Sequence, residues 1–371
     1  MNKGKITNLF TKLGVFIIAL AMMSVGAMAQ GIDSTLALKM ACETSPNNVV
    51  NINYPAKVSN GANPALPEVV NSPCTVSLGP SGSFETDQIG MNFAGPFSVR
   101  STTPTQVKFV KSYFTAPTMV VTLTGNDSFL AVDESLLQAR AGNLAINYGF
   151  GGVLEVLLPL SGSINSIEAA GVVNINGGGK FTGTLIDTQV LAGAAINVNM
   201  NGAEGTFKTE KSNLVANNGA IAVRSAFPKA LVDASFGDWR ATNGVFVTLQ
   251  QTESGLFVNT ARIFGGAGNI NFNVAAAGNT RIAEIIDSQL DTNAAVSIFG
   301  SVNGQYGLAK LQTSRIRAGG PVAVRTGTLG ETLVLTSTIS SPVAIRINTG
   351  LSGKCLSDQN NLTAPIIQAC Q

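Results

Sequence analysis

The chain has 371 residues, of which 45% are hydrophobic and 12% charged, with 40 glycines, four cysteines, no histidine and a formal charge of +2. That composition is too apolar for a disordered chain and too uncharged for a nucleic-acid binder. The absence of histidine removes Ser/His/Asp and Cys/His nucleophilic sites, histidine-ligated zinc and histidine proton transfer near neutral pH.

At the start of the chain, Lys3, Lys5 and Lys12 precede an apolar run from Leu13 to Ala27. Ala27-Met28-Ala29 then supplies small residues for cleavage, so residues 1–29 read as a secretory signal peptide. The apolar run is shorter than the ~20 residues that a membrane-spanning helix needs, and no comparable run occurs later, so no transmembrane segment is expected in the mature chain. Cleavage before Gln30 leaves 342 residues with 20 basic and 21 acidic side chains, so the positive balance belongs to the leader. The expected location is the periplasm, the exterior or the cell surface.

Residues 30–73 differ in character from the rest of the mature chain. Pro46, Pro55, Pro64, Pro67 and Pro73 break up an asparagine-rich stretch after a short helical segment, Ser34 to Glu43, which Asp33 or Ser34 can cap. An N-terminal cap is expected here, with Leu36, Leu38 and Met40 lying over the open start of the domain. The four cysteines sit in two pairs near opposite ends of the mature chain, with no C-x-x-C spacing that would suggest metal or redox chemistry. Three connectivities are possible; export favours oxidation, and clustering favours Cys42 with Cys74 and Cys355 with Cys370. The second pair would close a loop of about 15 residues, worth ~3 kcal/mol in loop-closure entropy.

From about Ser163 the chain repeats: a polar turn, an apolar residue, small residues with glycine, a short Val/Ile-rich strand, glycine again and another alternating strand. Ile167, Val190, Val215, Trp239, Phe264, Leu290, Ile316 and Ile339 mark the same phase at steps of 23, 25, 24, 25, 26, 26 and 23 residues. Asp187-Thr-Gln-Val190 and Asp287-Ser-Gln-Leu290 are near copies, with Thr313-Ser-Arg-Ile316 and Thr336-Ser-Thr-Ile339 in the same phase. No long helical pattern intervenes. A period of 24–25 residues holding three strand-like pieces is what one coil of a parallel β-solenoid requires. Each strand then stacks on its copy one coil later, ~4.8 Å away, and like side chains form columns along the axis. Upstream, Phe109 to Leu123 and Ser135 to Ile146 read as earlier coils. The step of 30 from Leu137 to Ile167 requires an insertion around Tyr148 to Gly162, read as an extra strand, a covering loop or a binding lip. The expected layout is a signal peptide (1–29), a cap (30–73), an all-β single-stranded parallel β-helix (74–350) and a disulfide-closed C-terminal cap (351–371).

In pattern and period, the coils from Ile167 to Ile347 resemble the right-handed parallel β-helix proteins of the pectin-lyase-like superfamily. The resemblance implies a right-handed coil and raises two chemistries. Polygalacturonase-type hydrolases pair aspartates with a Gly-His-Gly element, which a chain without histidine cannot supply. Pectate lyases use a calcium-binding acidic cluster with a basic proton acceptor. The dense ionisable region is Asp233, Asp238, Arg240, Arg262, Arg281, Glu284, Asp287 and Asp291. Calcium needs six to eight oxygens converging on one point. Counted from each coil's anchor, however, Asp233, Glu284 and Lys310 share one column, and Arg240, Asp291 and Arg317 another. Surface ion pairs between neighbouring coils are therefore expected in preference to a catalytic or calcium site.

Trp239 occupies an anchor position and reads as core. The Thr-x-Thr pairs fall at different phases and form no column, and Gly177-Gly-Gly179 is read as a turn. The expected function is that of an exported structural or adhesive element presenting lateral faces to a surface, a polysaccharide or copies of itself, with no cofactor. The alternative is a carbohydrate-active lyase or binding protein.

Overall fold

The computed structural model describes residues 31–59, 66–157, 165–226, 228–250, 253–274, 282–300, 306–350 and 352–370; segment 1–29 lies outside them. Each coil contributes one strand to each of three faces. Phe97–Ser101, Met119–Leu123 and Leu144–Tyr148 belong to face one. Gln106–Val110, Ser128–Asp133 and Gly151–Leu157 belong to face two. Tyr113–Ala116, Leu136–Ala139 and Asn165–Ala169 belong to face three. Neighbouring coils pair parallel and in register on every face, as in Met119–Leu123 against Leu144–Tyr148 and Leu136–Ala139 against Asn165–Ala169. The result is a β-solenoid of about 12 turns. Faces one and two form a single 25-stranded sheet, joined where Val173–Ile186 and Ile196–Glu210 run unbroken across the corner; face three is a sheet of 13 strands.

Inside, the register stacks like on like. On face one the inward column reads Val121, Ile146, Ile175, Val198, Val223, Val247, Phe272, Ile298, Val324 and Ile347. All ten are buried, and β-branched side chains dominate because they suit a pleated surface packed on its inner side. Toward the N-terminal end the core holds a cluster of aromatic rings, with Phe93 stacked on Phe97 at 4.6 Å and Phe109 edge-on to Phe114 at 5.0 Å.

On face three the inward column runs through Leu137, Ile167, Val190, Leu214, Trp239, Ile263, Leu290, Ile316 and Ile339. The 30-residue step and most of the anchors stand as expected, but two do not. Leu214 and Ile263 take the core positions assigned to Val215 and Phe264, which point outward. Both sites offer adjacent apolar residues, and along a strand a slip of one exchanges the inside for the outside. Trp239 is 1% exposed, and its indole N–H donates to Thr209 Oγ1 at 3.3 Å. Gly151–Leu157 proves to be an ordinary face-two strand, so the extra residues of the long step fall at 158–164, outside the described residues.

The corner from face two to face three explains the repeated tetrapeptide. Its first residue adopts a left-handed conformation, with φ of 46° at Asp187, 49° at Asp287, 50° at Thr313 and 50° at Thr336. The residue after it is a buried hydroxyl that serves two coils. Ser288 Oγ donates to the Ile286 carbonyl at 2.6 Å and accepts the Ala261 N–H of the preceding coil at 3.1 Å. Ser314 and Ser337 repeat the arrangement, each accepting the N–H of the hydroxyl residue one coil before. Backbone groups that the tight corner would strand inside are thereby satisfied, offsetting the cost of an unusual φ at residues other than glycine.

At the N-terminal end, helix α1 (Thr35–Thr44) covers the first coil, and the Ser34 side chain accepts the Ala37 N–H as its cap. Thr35, Leu38 and Cys42 face inward, while Leu36 and Met40 are 56% and 52% exposed. The expected trio Leu36, Leu38 and Met40 follows a strand's spacing of two, whereas a helix buries positions three and four apart. Coils already begin at Val49–Ile52, which pairs with Cys74–Leu78, so the solenoid starts inside the segment expected as a cap. Both disulfides have the favoured connectivity: Cys42–Cys74 ties the helix to face one, and Cys355–Cys370 closes the last described coil. That coil, Lys354–Asp358, Asn361–Thr363 and Ile367–Ala369, pairs in register with the one before it.

Candidate functional site

The ionisable residues that the sequence singles out occupy three separate strips of the surface. Asp233 and Glu284 lie on face two in one outward column, Lys208, Asp233, Phe257, Glu284 and Lys310, with Phe257 between the two carboxylates. Asp287 is exposed at the left-handed corner. Asp238, Arg240 and Asp291 lie on face three, where the outward column reads Val215, Arg240, Phe264, Asp291, Arg317, Ser340 and Thr363. Arg281 lies outside the described residues. The expected oppositions of Glu284 to Lys310 and Asp291 to Arg317 are both present as facing residues of adjacent coils.

Ion pairs form both within a strand and between facing residues of adjacent coils. Arg240 grips both oxygens of Asp238, two residues earlier on the same strand, and this pairing holds its guanidinium in the charged form. Lys57 bridges Glu85 at 2.8 Å and Asp87 at 3.3 Å, and Lys229 sits between Glu204 and Glu253. Among the described residues, no three His, Cys, Asp or Glu side chains gather where they could hold a metal ion.

The second half of face three does collect distinctive chemistry. Phe264 is 45% exposed on the sheet surface between Arg240 and Asp291. One Asp291 oxygen, Oδ2, accepts from Gln289 Nε2, whereas Oδ1 is buried and has no partner. Arg317 is exposed one coil further on. Together with Asn293, Ser340 and Thr363 these residues line a groove of about 830 Å³ along the edge of the face. Thr292, which also lines the groove, donates through Oγ1 to the Gly266 and Gly268 carbonyls and fixes the corner 265–269. A second, smaller groove of about 480 Å³ follows the opposite edge, past Arg262, Asp287 and Arg315.

Face one has a different character. The parts of the 14 strands that lie on it, and the corners that lead into them from face three, contain no aspartate or glutamate among the described residues. Four arginines, Arg100, Arg224, Arg325 and Arg346, project from it and are exposed. Between them run amide ladders, with Asn176 Nδ2 donating to Asn147 at 2.7 Å and Asn199 Nδ2 to Asn176 at 2.8 Å. Arg325 stacks over the Phe299 ring at 4.0 Å from its centroid. The sequence conceals this face because its members lie two dozen residues apart and gather only once the register is known.

No protein-family model matches the chain, and neither a curated protein nor a solved structure matches it significantly.

Proposed function

We propose that this protein is an exported, non-catalytic rod that attaches through a lateral face to an anionic polysaccharide at a surface. The observation that carries the reading is the acid-free face one, with four exposed arginines over a flat lattice of amides and hydroxyls. A flat face offers many weak contacts in parallel. Arginine suits carboxylate or sulfate groups because its fork donates two hydrogen bonds at once. With the acidic residues on faces two and three, at corners such as that of Asp127 and at the N-terminal helix, the strands of face one carry the positive side chains that would steer it toward a negative partner. Export rests on the leader-like residues 1–29, and it agrees with two disulfides and with described residues that include no helix long and apolar enough to cross a membrane. No cofactor is required for this role.

The test is retention of the oxidised chain on immobilised alginate and heparin as salt is raised. Retention should fall steeply with salt and be lost in the R100E/R224E/R325E/R346E variant. Salt-independent retention, or retention unchanged by the four reversals, contradicts the reading.

A second reading, a carbohydrate-active relative of the pectin-lyase-like proteins, is favoured by the groove through Asp291 and Arg317. Assay of polygalacturonate for unsaturated products, with and without calcium, separates the two. Turnover abolished by Asp291→Asn would replace the first reading with the second.

A further inference from the structure

We propose that the groove on face three is a binding site for a neutral, linear glycan laid along the solenoid axis. This surface is distinct from face one, so the inference goes beyond the docking role and stands or falls separately from it. Three observations carry it.

Phe264 is the first. Its ring is nearly half exposed on a flat sheet, flanked in its column by Arg240 and Asp291 rather than by other apolar groups. An isolated aromatic ring among polar neighbours matches the apolar C–H face of a sugar ring, which presents hydroxyl groups at its edge. The second is Asp291. Gln289 holds one carboxylate oxygen, and the other is buried without a partner while its residue lines the groove. A buried acceptor left unpaired is costly, and a small rotation of the carboxylate on ligand entry would bring it into the groove to accept a hydroxyl placed beside Phe264.

The third is the layout of charge and spacing. Among the described residues that line the groove, the single carboxylate, Asp291, faces the single cation, Arg317, across one coil step, so no net charge is present to select a polyanion. Ser340 and Thr363 continue the column with hydroxyls, and Asn293 lines the groove from the corner. From Phe264 to Thr363 is four coil steps, about 19 Å at the spacing of paired strands. Polar groups repeated at that interval suit a polymer of hydroxylated units better than a compact molecule.

The test is isothermal titration calorimetry of the oxidised chain with cellohexaose, xylohexaose, chitohexaose and maltohexaose, and with hexagalacturonate as the anionic comparison. At least one neutral hexamer should bind, and Phe264→Ala and Asp291→Asn should each weaken it about tenfold, the loss of one stacking contact or one charge-assisted hydrogen bond. Both side chains point away from the core, so unchanged thermal unfolding confirms that the loss is local. The proposal is overturned if no neutral hexamer binds, if hexagalacturonate alone binds, or if binding survives both substitutions. Retention of these two variants on alginate reports on face one independently.

Discussion

The phase of face three can be tested by exchanging neighbours. Ile263 is 1% exposed between Trp239 and Leu290, whereas Phe264, the next residue, is 45% exposed. Ile263→Ala removes buried methyl and methylene groups from a continuous column and leaves a cavity that rigid coils on either side cannot close. The cost should be ~2–5 kcal/mol. Phe264→Ala trims a surface ring and should change stability by only about 0.5 kcal/mol. Guanidinium unfolding followed by the fluorescence of Trp239, the single tryptophan of the chain, reads the damage one coil away. Coils contact only their neighbours, so a local probe is needed in case the solenoid melts in segments. If Phe264→Ala proved the more damaging substitution, the column would be out of phase by one, and the groove on face three would lose its aromatic platform.

Ser288→Ala should cost ~1–3 kcal/mol by stranding the Ala261 N–H, and Ser288→Thr should cost far less, since Thr188 makes the same carbonyl contact two residues back; equal losses in urea melts would discount the hydroxyl ladder. Glu284→Lys places like charges on facing residues and should destabilise by up to ~1 kcal/mol, more at low salt, with recovery in the Glu284→Lys/Lys310→Glu pair. Burial raises the proton affinity of Asp133, the adjacent Glu134 reinforces the shift, and Lys111 opposes it. The folded chain therefore holds that proton more tightly than the unfolded chain, so the stability it contributes is present at acid pH and lost as pH rises through the folded value. Asp133→Asn should raise Tm at neutral pH, with the gain fading on acidification; a Tm lowered at neutral pH would contradict this.

Much of the fold was legible because a solenoid writes its period directly into the chain. The tetrapeptides at Asp187, Asp287, Thr313 and Thr336 marked the coil length, and cysteine clustering indicated both bridges. The physical meaning of those tetrapeptides was not legible, since a left-handed φ at aspartate or threonine leaves no compositional trace. It would have supplied the missing phase. The inward residue follows the left-handed one by three in every case, from Lys211 to Leu214 and from Thr260 to Ile263 as much as from Asp287 to Leu290. Counting from the corner rather than from the most apolar residue places Val215 and Phe264 outside. The sites were less legible still. Asp291 acquires a buried, unpartnered oxygen only through its packing in the coil, and the acid-free face is a property of columns, each of which samples one residue in about 25.

Cross-linking of facing residues tests the stacked register most directly. In a Glu284→Cys/Lys310→Cys variant the two Cα atoms sit about 4.8 Å apart on neighbouring strands, within the span that a disulfide bridges. In a Glu284→Cys/Gln312→Cys variant the second cysteine is displaced by two residues along the strand, about 7 Å further on. Mass mapping after mild oxidation should find the first bridge and not the second, with Cys42–Cys74 and Cys355–Cys370 intact. Efficient bridging in the offset pair, or none in the facing pair, would contradict the parallel register on which both proposed surfaces depend.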